Sequence, residues 1–444
     1  MYAHYLEKWA NEEPNRIFLR DETRAKTYRE VMEEVSRLAS LLPKRVLHIA
    51  FNSIESIEMY LASFWAGSIL YAIDPLTSAE DLSFVIKDSK ADLILTDEEI
   101  SKREKINGLT RVKQGRKVEP YSYKEKEAGL VYYYAGIVGR TMQVLHSPNL
   151  VILNAKELVR EMKIEEVGEI SSLLTVPIAH VLGNSVLSLT LISGGKLTIM
   201  NRFDPEKASL LIERERVNFL STVPLVYERL LSVSESKVKT LKLCYSSAAP
   251  LSPEVQVRFR DKFRVPILQL YGLTEGLTLT LQRKQHEEVL STIGSPLPSV
   301  EIKLEEVKEG IGELYVKAPW IMLGYSDDKL TKEAIIGDYL RTGDLMYIDD
   351  KGLLYFKGMK KRMLKYKGYP IFPRDLEEII KTHPKVEDAK VIGKEEGGLG
   401  SAPFALVKLK DMPYEGLKEE ILDYVNKQVA FYKRLKGIEF VSSL

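Results

Sequence analysis

The sequence contains little cysteine, no excess of either charge and no long apolar segment. Cys244 is the single cysteine among 444 residues, so the chain forms no internal disulfide and suits a reducing compartment. Its 64 Lys and Arg balance 63 Asp and Glu, which leaves no global field to attract nucleic acid or an anionic membrane. Neither a signal-peptide apolar region nor a run of about eighteen apolar residues occurs. We therefore expect a cytoplasmic protein without a membrane span or a nucleic-acid partner.

The length and the order of apolar patterns predict more than one domain. A chain of 444 residues exceeds one compact core, and its apolar content of 45% is ample for burial. Helical patterns at 27–42, 54–66 and 79–88 alternate with strand patterns at 45–50, 68–73 and 91–95. This alternation predicts an α/β domain of crossover-built, mainly parallel sheets. After Arg374 the pattern changes to helix, two strands, helix and strand, which is typical of a small α+β domain.

One stretch combines an aromatic ring, a hydroxyl and a carboxylate directly after a predicted buried strand at 266–270. It reads Tyr271-Gly272-Leu273-Thr274-Glu275-Gly276. Ligands of open α/β sheets bind at the carboxyl ends of strands. There Tyr271 can stack on a flat ring, Thr274 can donate to a phosphate oxygen and Glu275 can hold Mg²⁺. Taken alone, these residues are equally consistent with a strand followed by a polar turn.

Two later stretches of the sequence help to interpret the Tyr271–Gly276 stretch. They are Arg341-Thr342-Gly343-Asp344-Leu345 and the basic, glycine-flanked run from Gly358 to Gly368. In this order and separation, the three stretches resemble the adenylate-forming superfamily of acyl-CoA synthetases, luciferases and carrier-loading adenylation domains. The resemblance extends from Thr27 to the end of the chain.

The resemblance implies a nucleotide site and a set of roles. Adenine lies against Tyr271, Gly272 and the segment Ser247, Ala248, Ala249 and Pro250. Asp344 accepts hydrogen bonds from the ribose hydroxyls, Thr274 contacts the α-phosphate and Glu275 holds Mg²⁺.

The resemblance also implies an acyl pocket with a histidine at its mouth. The segment from Pro177 to Gly183 matches the family's motif there. A single histidine among apolar residues is more often a core residue than a catalytic one. We nevertheless expect His180 to be a substrate-site residue, not a general base, with Val181, Leu273 and Gly276 beside it.

In the family, a small C-terminal domain rotates about a hinge between two catalytic steps. Lys361 occupies the hinge position, and Lys365 and Gly368 belong to the segment that swings into the active site. We therefore predict a large domain at 1–360 and a small mobile domain at 361–444. Thr274, Glu275, Lys365 and His180 are the implied catalytic set.

The sequence departs from the family pattern at several positions. Gly136 and Gly139 match the phosphate loop, but Ile137 and Val138 replace its hydroxyls and Met142 replaces its lysine. Met359 stands where the family has an arginine that contacts the nucleotide. The family's tail loop, which carries a lysine used in adenylation, does not follow in this sequence.

We expect an AMP-forming acid–CoA ligase that uses ATP, Mg²⁺ and coenzyme A on a small carboxylic acid, with adenylation impaired by these departures. The alternative is a non-catalytic or half-reaction protein that binds AMP or acyl-adenylate. A carrier-loading adenylation domain is a weaker alternative, because no carrier domain follows. The residues do not specify the acid.

Overall fold

The computed structural model describes residues 2–105, 108–109, 115–135, 141–308, 310–360, 364–371 and 373–442. The helices found there are α1 Tyr2–Glu12, α2 Tyr28–Ala39, α3 Ile54–Trp65, α4 Ala79–Ser89, α5 Glu98–Glu104, α6 Pro148–Glu161, α7 Val181–Ile192, α8 Pro205–Arg214, α9 Pro224–Leu230, α10 Glu235–Val238, α11 Pro253–Phe263, α12 Asp328–Ala334, α13 Pro373–Lys381 and α14 Leu417–Asn426. The strands are β1 Ile17–Arg20, β2 Ala25–Thr27, β3 Arg45–Ile49, β4 Ile69–Ile73, β5 Leu93–Thr96, β6 Leu130–Ala135, β7 Thr141–His146, β8 Ser171–Leu174, β9 Lys196–Ile199, β10 Phe219–Thr222, β11 Leu243–Ser246, β12 Ile267–Leu273, β13 Leu277–Leu281, β14 Ser295–Pro296, β15 Glu301–Lys308, β16 Ile311–Lys317, β17 Gly324–Tyr325, β18 Ile335–Ile336, β19 Tyr339–Ile348, β20 Leu354–Met359, β21 Leu364–Tyr366, β22 Tyr369–Ile371, β23 Val386–Glu395, β24 Ser401–Leu409 and β25 Ile438–Phe440.

The large N-terminal domain contains two mainly parallel sheets, as the alternating pattern predicted. Their strand orders are β14-β13-β12-β11-β10-β8-β9-β1-β2 and β17-β7-β6-β4-β3-β5. The pairs between β12 and β1 and between β6 and β5 are parallel, which requires the crossover helices seen between them. The helix that connects the two sheets, α2, begins at a capping box, in which the Thr27 side chain accepts from the Glu30 N–H and the Glu30 carboxylate accepts from the Thr27 N–H. The predicted α/β class is confirmed.

Two local predictions differ from the structure. Met142, which the family resemblance assigns to the phosphate loop, lies in β7, which pairs antiparallel with β6 and places Met142 opposite Tyr134. Tyr271, Gly272 and Leu273 do not follow a strand, because β12 continues through them into a tight turn. In both places an antiparallel pairing with the neighbouring strand of the chain, β6 for β7 and β13 for β12, sets the extent of the strand. The sequence interpretation also missed α1 and the short strands β1 and β2.

A third, antiparallel sheet carries the Asp344 motif. Its order is β15-β16-β19-β18, and β20 pairs with β19. Asp344 lies within β19 opposite Met359 of β20, so it is a strand residue and not a loop residue. On its other side the β16–β19 pairing shifts register between Leu345 and Arg341, so Asp344 is paired with β20 alone.

The C-terminal segment forms its own small domain. It contains the hairpin β21–β22 and the sheet β23-β24-β25, with α13 and α14 packed on them. Its apolar core is built from residues 366–438, and Tyr366, Leu376 and Ile421 lie at its centre. Within the described residues, no helix is long and apolar enough to cross a membrane.

Candidate active site

A large cavity lies between the carboxyl ends of the main sheet and the small domain. Its volume is about 910 Å³. Residues of the large domain that line it include His180, Ser247, Ala248, Gly272, Thr274, Glu275, Asp344, Met359 and Lys360. The small domain contributes Lys365, Lys367, Gly368, Tyr369, Phe431, Tyr432 and Lys433. The cavity therefore brings together most of the residues that the motifs singled out.

The turn between β12 and β13 presents Thr274 and Glu275 to this cavity. The Gly276 N–H bonds the Leu273 carbonyl at 3.2 Å and closes the turn. Gly272 lies at an irregularity of the β12–β13 pairing, where an added Cβ would lie 2.0 Å from the Leu277 carbonyl oxygen. Only glycine tolerates this approach, so Gly272 sets the path of the turn.

Tyr271 and Asp344 form a buried pair at the base of the cavity. The Tyr271 hydroxyl donates to Asp344 Oδ2 at 2.7 Å. Tyr271 does not itself line the cavity. Burial raises the pKa of the Asp344 carboxyl, whereas the Lys365 ammonium and the Tyr271 bond lower it. Burial, followed by the nearby Asp344 charge, raises the pKa of the Tyr271 phenol well above its ordinary value. The Tyr271 phenol therefore keeps its proton and donates it to Asp344 Oδ2.

Glu275 is a buried carboxylate with one unpaired oxygen. Tyr325 donates to Glu275 Oε1 at 2.7 Å, while Oε2 has no hydrogen-bond partner within the described part of the chain. Burial raises the pKa of Glu275 to about 7, although the Tyr325 bond and the Lys365 charge lower it. An unsatisfied buried oxygen is costly unless a ligand completes it.

The oxygen chemistry at Glu275 fits a Mg²⁺ ion. Magnesium in nucleotide sites is held through one or two carboxylates together with phosphate and water oxygens. Among the described residues, no group of three or more His, Cys, Asp and Glu side chains could hold a metal without such help. Glu275 is therefore the protein ligand that this site offers, and a nucleotide would supply the remaining oxygens.

His146 supports the turn from below, and the sequence analysis missed it. Its Nε2–H donates to the Thr274 carbonyl at 2.8 Å, and its ring is 1% exposed. Burial lowers the pKa of His146 to about 4, so the ring is neutral at ordinary pH. The one available signal was a histidine immediately before the Ser147-Pro148 helix start, which by itself predicts nothing about a turn 128 residues away.

The segment after β11 approaches the cavity with strained backbone. Ala248 adopts a φ of +72°, a conformation that costs a residue with a Cβ energy. Ser247 and Ala248 line the cavity, whereas Ala249 and Pro250 do not. Of the four residues predicted at the adenine edge, the first two thus face the space where a base would bind.

His180 lies at the cavity with a carboxylate partner that sequence reasoning did not find. Its Nε2–H donates to Asp74 Oδ2 at 2.5 Å, and its ring lies 5.8 Å from that of Tyr369 in the small domain. Val181 and Leu273 also line the cavity, but Gly276 does not. Asp74 follows β4, 106 residues before His180, and only the sheet arrangement joins them.

The β21–β22 hairpin inserts the small domain into the cavity. Its two-residue turn, Lys367-Gly368, has φ values of +53° and +79°, which is the geometry of a tight hairpin turn. An added Cβ at Gly368 would lie 3.2 Å from Val223 of the large domain, so the turn packs closely across the interface. Lys365, on the same hairpin, is the cation that lowers the pKa values of Glu275 and Asp344.

Of the remaining predicted positions, one lies in the core and five fall outside the described residues. Gly136, Gly139, Ile137, Val138 and Lys361 lie outside the described residues. Met142 is described, and its side chain is 6% exposed in the main core.

Comparisons with known proteins agree with this geometry. The AMP-binding enzyme family matches residues 6–135 and 143–326, and the C-terminal domain of AMP-binding enzymes matches residues 375–444. The chain therefore belongs to the AMP-binding enzyme family, and the family resemblance predicted from the motifs is confirmed.

The chain is similar along most of its length to CoA ligases. The probable CoA ligase CCL5 of Humulus lupulus is 30% identical, over 90% of this chain and 80% of that protein. The o-succinylbenzoate CoA synthetase MenE of Bacillus subtilis, bound with its product analogue OSB-NCoA, superposes with a TM-score of 0.91 at 24% identity, covering 99% of this chain and 94% of that one. MenE in complex with AMP gives 0.75 at 24% identity, covering 99% and 95%. These structures confirm the fold.

Proposed function

We propose that the protein is an AMP-forming acid–CoA ligase, which joins a small carboxylic acid to coenzyme A at the expense of ATP. The observation that carries this proposal is Glu275, a buried carboxylate with an unpaired oxygen that lines one cavity with Asp344 and Lys365. A carboxylate for a metal, a carboxylate for a ribose and a cation near both are what adenylate chemistry requires at one place. The similarity to CoA ligases supports the same conclusion.

In the first step, a carboxylate oxygen of the acid attacks the α-phosphorus of ATP, and the bond from that phosphorus to pyrophosphate breaks. Asp344 accepts from the ribose hydroxyls and Thr274 donates to the α-phosphate, so the nucleotide is held in line with the acid. A Mg²⁺ ion bound at Glu275 would neutralise phosphate charge. The products are the acyl-adenylate and pyrophosphate.

In the second step, the sulfur of coenzyme A attacks the acyl carbon, the bond from that carbon to the AMP oxygen breaks, and the thiol proton passes to solvent. The observed position of the β21–β22 hairpin suits this step, because Lys365 and Gly368 line the cavity. The closer superposition on MenE with a CoA-bearing product analogue than on MenE with AMP supports this assignment.

We also propose that the large domain ends at residue 360 and the small domain begins at residue 361, with the hinge at Lys361. Lys360 is fixed to the large domain, since its Nζ bonds Glu306 at 2.7 Å and Glu313 at 2.6 Å. Its backbone N–H also bonds the Gly343 carbonyl at 2.7 Å. From β21 onward the described strands pair with one another. Rotation about the residues after Lys360 would leave the nucleotide site intact.

We further propose that adenylation is slow relative to thiolysis. Met142 occupies the position of the family's phosphate-loop lysine, and its side chain is buried in the core. A buried thioether supplies no charge to the β- and γ-phosphates. Loss of one preorganised donor typically costs about 10²–10³ in rate.

Two single-turnover rates test the proposal. One is measured from ATP, Mg²⁺ and a panel of carboxylic acids, and the other from synthetic acyl-adenylates with coenzyme A. We expect acyl-adenylate and pyrophosphate in equal amounts from the first reaction, acyl-CoA and AMP in equal amounts from the second, and a faster second reaction. Equal rates would contradict the proposal that adenylation is slow, but they would leave the ligase assignment intact.

The alternative function, a protein that binds AMP or acyl-adenylate without making it, is favoured by the same buried Met142. It predicts that acyl-CoA forms only when acyl-adenylate is supplied with coenzyme A and not from ATP and the acid, or that the adenylate binds with no turnover. Absence of both turnover and adenylate binding would contradict both functions.

A further inference from the structure

A second, much smaller cavity lies behind the main one. Its volume is about 10 Å³, which is the space of a single water molecule. Three residues line both cavities: Tyr132 of β6, Val181 at the start of α7 and Leu277 at the start of β13. We call these three side chains the end wall, because they separate the acyl side of the main cavity, near His180, from the small chamber.

Leu277 in the end wall has a strained backbone. Its φ is +53°, in the left-handed region that glycine enters freely and that a residue with a Cβ enters at a cost. Its side chain is 2% exposed, and its carbonyl approaches Gly272 so closely that no Cβ fits there. A large apolar side chain kept at a position suited to glycine indicates a function for that side chain.

The polar groups around the end wall already have protein partners. Asn184 Nδ2 donates to the Tyr132 hydroxyl at 2.9 Å, and Asn184 Oδ1 accepts from the Tyr2 hydroxyl at 2.7 Å. Asn154 Nδ2 donates to the Thr278 carbonyl at 2.9 Å. These bonds leave an acyl group little to bond to at this end.

The chamber is also without charge. Its described lining consists of Tyr132, Val151, Asn154, Ala155, Val181, Asn184, Ser185, Ser188 and Leu277, none of which carries a charged side chain. A second carboxylate placed against this wall would lose its hydration without gaining a cation, which is unfavourable.

We propose that the end wall closes the acyl site and that Leu277 sets its length. This inference rests on the proposed ligase function and names its substrate class. The substrates are monocarboxylic acids with an uncharged, apolar tail that ends at Leu277, and acids with a second, distal carboxylate are excluded.

The test measures binding of acyl-sulfamoyl-adenosines, which are stable analogues of the acyl-adenylate. A series of straight acyl chains, lengthened one methylene at a time, is titrated by calorimetry against the whole chain. We expect affinity to rise with length and then to fall sharply once the tail reaches the end wall. An analogue with a terminal carboxylate should bind more weakly than the apolar analogue of equal length.

Leu277→Gly is the informative variant, because glycine accepts the backbone conformation and opens the wall into the chamber. We expect its length limit to move to longer chains, with about fourfold tighter binding for each added methylene that becomes buried. Val181→Ala thins the same wall from ordinary helical backbone and should move the limit in the same direction. Leu279→Val is the matched control, since Leu279 is buried in the same strand and lines neither cavity.

The inference is overturned if Leu277→Gly and Val181→Ala keep the wild-type length limit, or if the dicarboxylate analogue binds as tightly as the apolar one. It is also overturned if Leu279→Val moves the limit equally, because the effect would then reflect loosened packing. Failure of the wild type to bind any analogue would contradict the ligase function itself. A separate titration with AMP would distinguish this outcome from failure of the end-wall inference.

Discussion

The Tyr271 hydroxyl donates to Asp344 Oδ2 across 2.7 Å, joining two residues 73 positions apart. Tyr271 lies in β12 of the nine-stranded sheet and Asp344 in β19 of the antiparallel sheet. The bond therefore fixes the two sheets relative to each other at the base of the nucleotide site. It also stabilises the ionised form of a carboxylate whose pKa burial raises.

Asp344→Ala should weaken AMP binding by about 1–3 kcal/mol, because charge-assisted bonds to the ribose hydroxyls are lost. Calorimetric titration with AMP measures this change. Asp338→Ala is the control, since Asp338 is exposed just before the same strand and does not line the cavity. Unchanged AMP affinity in a folded Asp344→Ala protein would show that Asp344 does not hold the ribose.

Tyr271→Phe should change the pH dependence of AMP binding. The hydroxyl lowers the pKa of Asp344, so its removal should raise that pKa and move the acid limit of AMP affinity to higher pH. Titrations of AMP across the acid range measure the limit. Tyr325→Phe serves as a comparison, because Tyr325 bonds Glu275 instead and should alter Mg²⁺ dependence. An identical pH profile for wild type and Tyr271→Phe would contradict the role of the bond.

Glu275→Gln should stabilise the metal-free protein at high pH. The carboxyl has an ordinary pKa of 4.5 and a folded pKa of about 7, so the folded state binds more protons in between, and stability falls as pH rises through that window. The Gln variant lacks this loss, which amounts to about 3 kcal/mol at pH values above the window. Urea unfolding of both proteins on either side of the window measures the difference.

A second buried glutamate, Glu58, does not affect this comparison. Burial also raises the pKa of Glu58 to about 7, but Glu58 is present in both proteins, so its contribution cancels in the difference. The Gln variant should at the same time lose stimulation by Mg²⁺. A difference that does not vary with pH would mean that Glu275 is already ionised in the metal-free protein.

His146→Leu should reduce turnover by about 10²-fold, since small displacements of catalytic groups have effects of that size. Without the Nε2–H bond, the Thr274 carbonyl and the turn that carries Glu275 lose their support. His146→Gln can place an amide N–H at the same point and should recover most of the rate. Single-turnover rates of both half-reactions measure the effect. Equal losses in the Leu and Gln variants would indicate a packing role instead.

Much of the fold was predictable from local pattern. The capping box of Thr27 and Glu30 marked the start of α2, and alternation of helix and strand patterns indicated parallel sheets. The motif at Tyr271 to Gly276 and Asp344 indicated a nucleotide site, because residue types in a fixed order carry that information. These features depend on neighbours in the chain, so one sequence suffices to recognise them.

Contacts between side chains that are far apart in the sequence depend on the tertiary structure and could not be predicted from local pattern. His146 reaches Thr274 across 128 residues, and Asp74 reaches His180 across 106. Strand order and register set such pairs, and a shift of one residue turns every side chain of a strand to the other face. The end wall has the same origin, since Tyr132, Val181 and Leu277 come from three separate elements. Local pattern was thus enough to predict the family, the alternation of helices and strands and the nucleotide motifs, whereas packing between distant strands sets how those motifs are supported and brings the end-wall residues together.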